Sequence, residues 1–357
     1  MERLDQCNVQ NCGLCTFKFE DNEVIFAGNL VSSEVQEARH NPNWLYSDEL
    51  AVAFHKLCYG YAGGVSPQLR AITRYDFSPS QESMANARHF GPSILSQLNA
   101  ELNALNPKMP LELQKYIADY LTPYYHIAIT VASSRLKPKP KPTRVSLSSD
   151  IWAHSVTFHG KLYISNLSSE KNNDSKLIYS AASSRPADII YIARDPWGVK
   201  EVVVALRGDA VERVEEADTW WEAISISPNL GYMKGDNDGL KLRNLEFEAN
   251  DGNTRIVWTT PQSLQQNIRV IRSRDDSSEI RFTPFVINGA NVSGYSTAVS
   301  GDTLALQAHE SESTSLSSSE THWLYLPLNS GEWISEVWLR IYQMRRATAF
   351  IVSIPAS

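Results

Sequence analysis

Two short pairs of metal-binding side chains near the start of the chain constrain its fold more than any other feature. Cys12 and Cys15 form a C-x2-C pair, and after 39 intervening residues His55 and Cys58 form an H-x2-C pair. Two such pairs can close a tetrahedral Cys3His site around zinc. Four protein ligands leave no open position for water or substrate. We therefore expect a structural zinc ion that folds this end of the chain rather than a catalytic one.

Other ligand sets remain open for this site. The chain has four cysteines, all before residue 59, and Cys7 is the spare one. Cys7 could replace a ligand, although its x4 spacing to Cys12 fits less well, and His40 is a weaker substitute for His55. The four residues could also be unrelated side chains of a reduced protein. A disulfide is disfavoured because residues 1–10 lack the apolar stretch of a secretion signal, which favours a cytoplasmic location.

Length and composition bound the classes of protein to which the chain can belong. Its 357 residues are 42% hydrophobic and 20% charged, which is enough to bury a core in two or three units. No run approaches the 18 apolar residues of a membrane-spanning helix. The net charge of −7 argues against a general affinity for nucleic acid. We therefore expect neither a membrane nor a nucleic acid as a partner.

A basic segment with alternating prolines, residues 137–144 (KPKPKPTR), divides the chain, and it has the composition of an extended linker. Before it, residues 93–105 place apolar side chains at helical spacing. After it come apolar runs typical of strands, including 155–164, 189–192 and 201–206. We predict an α-rich region over 1–136, a linker over 137–144 and an all-β ligand-binding domain over 145–357.

Residues 109–121 (MPLELQKYIADYL) have the pattern of an amphipathic helix. Leu113, Ile117 and Leu121 form a stripe at helical spacing, and the helix should end before Pro123. The segment resembles the opening helix of an F-box, which docks on a ubiquitin-ligase adaptor, although the following residues depart from that pattern. The resemblance implies a protein partner for this helix. The alternative is a helix that packs in the core.

The order of these features resembles a group of uncharacterised filamentous-fungal proteins, most strongly over residues 323–340. Within that stretch, residues 331–337 (GEWISEV) also resemble a strand of jacalin-like lectin domains. These resemblances imply an α+β fold, with a helical zinc-stapled N-terminal region followed by an antiparallel β-sandwich or β-prism. They suggest, without establishing it, that the second region binds sugar.

Tryptophan placement gives the best indication of a ligand site. Eight of the nine tryptophans follow the linker, and most should pack a β core. Trp197 lies in a predicted loop (RDPWG), and Trp220 and Trp221 follow a charged stretch. Such rings can stack on an apolar skeleton or a sugar while charged neighbours orient it. The predicted ligand-binding residues are Arg194, Asp195, Trp197, Arg207, Trp220 and Trp221.

Two functions from different classes fit this sequence, which lacks the motifs of serine hydrolases, nucleotide-binding proteins and zinc proteases. The first is a ligand-recognition protein, in which the β domain binds a small molecule or glycan and the N-terminal region contacts other proteins. The alternative is a cofactor-independent cyclase, isomerase or lyase of fungal secondary metabolism. A deep, closed apolar cavity would favour the enzyme. A shallow polar groove and an exposed 109–121 helix would favour the binding protein.

Overall fold

A computed structural model of the chain shows a mostly β protein with few helices. The chain divides into two compact units, Met1–Phe282 and Thr283–Ser357. The structure describes residues 5–7, 9–29, 35–41, 50–77, 79–80, 83–84, 100, 102–104, 108–135, 143–182, 187–206, 211, 216, 218–226, 232–247, 256–261, 280–282, 287–289, 291–300, 303–310, 323–329, 332–341 and 348–353.

A four-stranded sheet opens the first unit. Its strands are β1 (Asp5–Cys7), β2 (Val24–Asn29), β3 (Val35–His40) and β4 (Leu50–His55). Their order is β1-β3-β2-β4, with β1 parallel to β3 and β2 antiparallel to both neighbours. Residues 1–136 therefore contain a sheet as well as helices, which corrects the α-rich expectation. The helix predicted over 93–105 lies largely outside the described residues.

The described helices of 6 residues or more are α1 (Lys56–Tyr61), α2 (Pro67–Thr73) and α3 (Leu111–Arg135). The Ser66 hydroxyl caps α2 by accepting the Leu69 N–H at 3.1 Å. Helix α3 continues through Pro123, so the predicted end at this proline is wrong. Proline removes one hydrogen bond from a helix interior, and a helix held over 25 residues tolerates that loss.

The buried face of α3 is not the predicted apolar stripe. Six buried residues of this helix recur every four positions: Gln114, Ala118, Thr122, His126, Thr130 and Ser134. Ile127 is buried as well. Leu113, which begins the predicted stripe, is 49% exposed, and Tyr116 is 73% exposed. The helix thus packs a small, partly polar face inward and leaves several large apolar side chains at the surface.

Three sheets form the rest of the first unit. The strands are β5 (Thr143–Ser146), β6 (Ile151–Phe158), β7 (Lys161–Ser168), β8 (Ser175–Tyr179), β9 (Ile189–Asp195), β10 (Gly198–Ala205), β11 (Trp220–Ser225), β12 (Tyr232–Asn237), β13 (Leu242–Phe247), β14 (Ile256–Trp258) and β15 (Ile280–Phe282). They pair in the orders β7-β6-β8, β13-β12-β5 and β10-β9-β11-β14-β15. All of these pairs are antiparallel except β14–β15.

The predicted linker lies mainly outside the described residues, and its last two residues, Thr143 and Arg144, begin β5. A boundary at 137–144 therefore stays a prediction. Within the first unit, Ile72 and Met84 from the N-terminal region share one buried cluster with Phe158, Tyr163 and Trp197. The N-terminal region and the strands that follow it thus have part of their core in common.

Residues 155–164, predicted as one strand, form parts of two. Strands β6 and β7 pair as a hairpin joined by His159 and Gly160. Both residues have positive φ, 48° and 68°. Positive φ at both central positions matches a two-residue type I′ turn, whose twist suits a hairpin. The turn was not predicted from the sequence, because a type I′ turn usually has Asn, Asp or Gly at the position that His159 occupies.

The second unit contains β16 (Val292–Ser300), β17 (Thr303–Glu310), β18 (Trp323–Pro327), β19 (Glu336–Ile341) and β20 (Thr348–Ser353). They form antiparallel sheets of order β17-β16-β18 and β19-β20. The strand at the lectin-like segment begins only at Glu336, and Trp333 before it is exposed. Across the described parts of both units, no helix is long and apolar enough to cross a membrane.

Candidate metal centre and ligand cavity

The four predicted metal ligands converge on one point. The ligand atoms of Cys12, Cys15, His55 and Cys58 all lie within 4.8 Å of one another. Nδ1 of His55 is 3.3 Å from Sγ of Cys15 and 3.7 Å from Sγ of Cys58. A tetrahedral zinc ion with ordinary bond lengths would separate a sulfur from a nitrogen ligand by about 3.6 Å. The group can therefore hold a metal ion.

A tight turn brings Cys12 and Cys15 together. The Thr16 N–H donates to the Cys12 carbonyl at 2.9 Å, and Thr16 has a positive φ of 66°. A Cβ on Gly13 would lie 3.0 Å from Val52 and 3.1 Å from the carbonyl oxygen of Thr73. The turn thus packs closely against strand β4 and the end of helix α2, and a side chain at position 13 would push them apart.

The second ligand pair follows from the junction of β4 and α1. His55 is the last residue of β4, and Cys58 lies in the first turn of α1. Nε2 of His55 is 3.8 Å from a carboxylate oxygen of Glu23, an outer contact that can fix the ring orientation. His40 lies outside the four-residue group, and its Nδ1 contacts the Glu20 carbonyl at 3.0 Å. The side chain of Cys7 lies outside the described part of the chain.

The electrostatics of the three thiols favour a cation at their centre. Burial raises the pKa of Cys12, but hydrogen bonds from Cys15, Cys58 and His55 outweigh it, so the pKa falls well below its usual range. The hydrogen bonds with Cys12 raise the pKa of Cys15 and of Cys58. Without a metal ion, Cys12 is thus stabilised as a thiolate, whereas Cys15 and Cys58 are stabilised as neutral thiols. A divalent cation would stabilise all three thiolates together.

The predicted ligand-binding residues fall into different surroundings. Trp197 lies in the predicted loop, but it is only 1% exposed and packs in the cluster of Phe158 and Tyr163, so its ring lies in the core. The RDPWG segment is a tight β9–β10 turn whose indole turns inward. Asp195 and Arg194 end β9 and are buried.

The two adjacent tryptophans also differ from each other. Trp220 is half-buried and pairs in register with Arg194 across β11 and β9. Trp221 is buried and pairs with Ala193. Arg207 lies outside the described residues, so its predicted role stays a prediction. The structure therefore brings together Arg194, Asp195, Trp197 and the two tryptophans at one end of the β9–β11 sheet.

A cavity of about 390 Å³ lies between the β7-β6-β8 sheet and residues of strands β9, β10 and β11. Of the predicted residues, Trp221 lines it directly. Its wall combines apolar and charged side chains: Ala153, Leu162, Ile164, Ile178, Val202 and Trp221 with Lys161, Lys176, Lys200, Glu201 and Glu216. The mixture offers both apolar contact area and charge for orienting a bound molecule.

Lys161 connects the cavity wall to a buried acid. Its Nζ is 3.7 Å from Oδ2 of Asp195 and 4.0 Å from Oε2 of Glu216. The Tyr163 hydroxyl donates to Oδ2 of Asp195 at 2.7 Å. Burial raises the pKa of Asp195 even though Lys161 and the Tyr163 hydroxyl lower it. Burial likewise raises the pKa of Tyr163. Sequence reasoning missed Lys161 and Tyr163 because the hairpin turn before them was not recognised.

A second buried ionic cluster joins the N-terminal region to β13. Lys241 Nζ donates to Oδ2 of Asp238 at 2.8 Å and to the Ile72 carbonyl at 2.9 Å. Arg243 donates to Oδ1 of Asp76 at 2.7 Å. Burial lowers the pKa of Lys241 to about 8, although Asp238 opposes the shift. In the sequence, Lys241 and Arg243 alternate with Leu240 and Leu242. The same alternation is typical of a half-exposed strand, so it did not predict the buried cluster.

Comparisons of this chain with models of protein families, with curated proteins and with solved structures find no significant match. No relative therefore bears on the fungal or jacalin-like resemblance.

Proposed function

We propose that this chain is a zinc-stabilised ligand-recognition protein. The zinc ion would be held by Cys12, Cys15, His55 and Cys58. Three sulfurs and one imidazole nitrogen form a donor set that suits zinc and does not suit calcium or magnesium. Four protein ligands leave no position for substrate, so the proposed role is to hold the β4–α1 junction against the preceding turn.

One observation carries the recognition function, namely the cavity of about 390 Å³ beside Trp221. Pockets for small ligands commonly have volumes of about 300 to 1,000 Å³ and combine apolar walls with a few polar groups. Five charged side chains lie in the wall beside the apolar ones: Lys161, Lys176, Lys200, Glu201 and Glu216. So many charges favour a binding protein over an enzyme, for which a closed apolar cavity is expected. A small molecule or one sugar unit of a glycan would fill the cavity beside Trp221.

The surface of the N-terminal region supports a protein contact. Large apolar side chains of α1 and α3 are exposed together: Leu57, Tyr61, Leu111, Leu113, Tyr116 and Tyr120. The Tyr61 ring contacts Tyr124 edge-on at 5.1 Å, which places the two helices side by side. Clustered exposed aromatic side chains are typical of protein interaction surfaces. The resemblance of residues 109–121 to an F-box helix agrees with this proposal.

Affinity selection tests the cavity as the binding site. The full-length protein would be equilibrated with a small-molecule extract and a glycan library, and retained compounds would be identified by mass spectrometry. Ser155→Trp places a large side chain into the cavity from an exposed position of β6. Thr157→Trp is the matched control, because Thr157 is exposed two residues further along the same face and does not line the cavity.

Wild type and Thr157→Trp should retain the same compound, and Ser155→Trp should lose it. Retention of the compound by all three proteins would show that it binds outside this cavity. Retention by none would argue against ligand recognition in this cavity. Equal thermal unfolding profiles of the three proteins would show that the tryptophans change only the site.

A second candidate function is the cofactor-independent cyclase, isomerase or lyase. The observation in its favour is that Lys161 lines the cavity and lies 3.7 Å from the buried Asp195, which is bonded to Tyr163. Such a group could transfer a proton to or from a bound molecule. The same affinity selection separates the two functions. A compound recovered unchanged after long incubation supports recognition, whereas conversion that Lys161→Met abolishes supports catalysis.

The β-sandwich and the fungal and lectin-like relationships are also proposals. The sandwich is supported by one buried cluster that joins side chains of three sheets, among them Ile164, Ile192 and Leu245. Packing of sheet faces across a common core is the defining feature of such folds.

A further inference from the structure

We propose that the ligand of the cavity is an amphipathic organic anion, with an apolar body and one carboxylate or sulfonate group that pairs with Lys176. This inference rests on the proposed function, because it takes the cavity beside Trp221 as the ligand site. It adds the chemical class of the ligand and the residue that selects it.

The floor of the cavity is the inner face of the β7-β6-β8 sheet. Ala153 and Ile164 belong to the main buried cluster of the β region, so their side chains point inward. Ser155 pairs with Ile164, and Lys176 pairs with Ala153. Directly paired residues of neighbouring strands point to the same face of a sheet. Lys176 is therefore directed to the same side as the apolar floor, at the rim of the cavity.

The other charged side chains at the cavity lie around Glu216 and Trp221. Lys161 and Lys200 both pair with Glu216, and Lys161 also lies near Asp195. Glu201 pairs with Ala193, which pairs with Trp221, so Glu201 lies on the same sheet face as the tryptophan that lines the cavity. Within the described part of the chain, Lys176 makes no ion pair.

The distribution of charge along the cavity favours a single anionic group. Lys176 lies beside Ala153, whereas Lys161 pairs with Phe158, five residues further along β6. That separation corresponds to about 16 Å along a strand. One end of the cavity thus holds a cluster of lysines and carboxylates, and these carboxylates would repel an anionic ligand group. The other end offers the ammonium group of Lys176. A ligand with its anionic group at Lys176 would place its apolar body over Ile164, Val202 and the edge of Trp221.

Two fluorescent probes with the same ring skeleton test this inference. The anion is 8-anilinonaphthalene-1-sulfonate, and the uncharged counterpart is N-phenyl-1-naphthylamine. Their dissociation constants would be measured for the full-length zinc-loaded protein and for Lys176→Met. The matched control is Lys171→Met, which removes the same charge from the opposite face of the same sheet, where Lys171 lies 5.4 Å from the Trp152 ring centre. Ser155→Trp and Thr157→Trp report whether the probes occupy the cavity.

We expect Lys176→Met to weaken binding of the anionic probe by about two- to fivefold, as for an ion pair at an exposed site, and to leave binding of the uncharged probe unchanged. Lys171→Met should leave both probes unchanged. Equal affinity of the anion for Lys176→Met and Lys171→Met would overturn the inference while the cavity stands, provided that Ser155→Trp excludes both probes. Binding that Ser155→Trp does not affect, or no binding of either probe, would overturn the proposed function and the inference with it.

Discussion

At the residue scale, the metal centre depends on neighbouring residues that are not part of the C-x2-C and H-x2-C motifs. Gly13 fits where a Cβ would meet Val52 and the backbone of Thr73 at 3.0 to 3.1 Å. Glu23 contacts the outer nitrogen of His55. These neighbours come from the residue before β2, from β4 and from α2, so they could not be predicted from the ligand motif. The four ligands could be predicted because their spacing is set by metal geometry alone.

Cys15→Ser should abolish tight zinc binding, because a serine hydroxyl is a much poorer zinc ligand than a thiolate. We expect about one zinc per chain in the wild type and a loss of most of it in the variant. Elemental analysis of protein purified without added metal measures this. Cys7→Ser is the matched control, since the ligand spacing predicts Cys7 to be the spare cysteine, and it should keep its zinc. A variant Cys15→Ser that retains a full equivalent would refute the ligand set.

Lys241 makes stability depend on pH. In the folded protein burial lowers the pKa of Lys241 to about 8, from an ordinary value of 10.5. Between these two values the unfolded chain binds the proton that the folded chain has lost, so the free energy of unfolding rises with pH. The rise is at most about 3 kcal/mol. Denaturant titrations from pH 7 to pH 10.5 should show it in the wild type and not in Lys241→Met. Parallel pH curves for the two proteins would contradict it.

The predicted ligand residues show what the sequence leaves undecided. Tryptophan beside charge is compatible with an exposed platform and with a buried turn. Trp197 is buried because the two-residue turn that contains it directs the indole onto Phe158 and Tyr163. Trp221 was predicted together with it and does line the cavity. The different surroundings of Trp197 and Trp221 depend on the pairing of β9 with β11, which are distant in sequence, so the local sequence could not distinguish them.

At the element scale, short apolar runs were the main source of error. Five-residue runs such as those in β2 and β4 fit a strand or a buried helix equally well, so the first sheet was missed. The strands of residues 189–192 and 201–206 were predicted correctly, because they are rich in β-branched residues. The start of α3 was predicted from Pro110, whereas its continuation through Pro123 depends on packing over its whole length.

The start of strand β10 should not tolerate a side chain at Gly198. A Cβ there would lie 2.5 Å from the carbonyl oxygen of Leu242, and the backbone has a φ of 152°. We expect Gly198→Ala to lower the free energy of unfolding by about 2 to 4 kcal/mol. Gly60 in α1 is the control, since nothing lies within 4 Å of its Cβ position. Gly60→Ala should be neutral or stabilise by up to about 1 kcal/mol. Equal unfolding curves for the two variants would contradict this account.

At the scale of the whole molecule, the metal centre is connected to the β region of the first unit. The Tyr75 hydroxyl donates to the Cys12 carbonyl at 3.3 Å, and the Tyr75 ring contacts the Trp197 ring edge-on at 5.6 Å. The Asp76 N–H donates to the Pro196 carbonyl at 2.9 Å. Residues 72–76 therefore contact both the metal-binding turn and the β9–β10 turn.

Removal of zinc by a chelator should loosen both turns. We expect faster amide hydrogen exchange in residues 11–19 and, to a smaller extent, in residues 194–199. Strand β16 in the second unit serves as the internal control and should exchange as before. Hydrogen–deuterium exchange with peptide mass analysis measures all three. Faster exchange confined to residues 11–19 would show that the β9–β10 turn does not depend on the metal centre.

Native mass spectrometry of the protein purified from the organism of origin tests the central claim, ligand recognition in the cavity, most directly. Wild type and Thr157→Trp should each carry one zinc ion and one further small molecule, which negative-ion fragmentation should identify as an organic anion. Ser155→Trp should carry the zinc ion alone. A small molecule retained equally by Ser155→Trp, or none on any of the three proteins, would contradict the account.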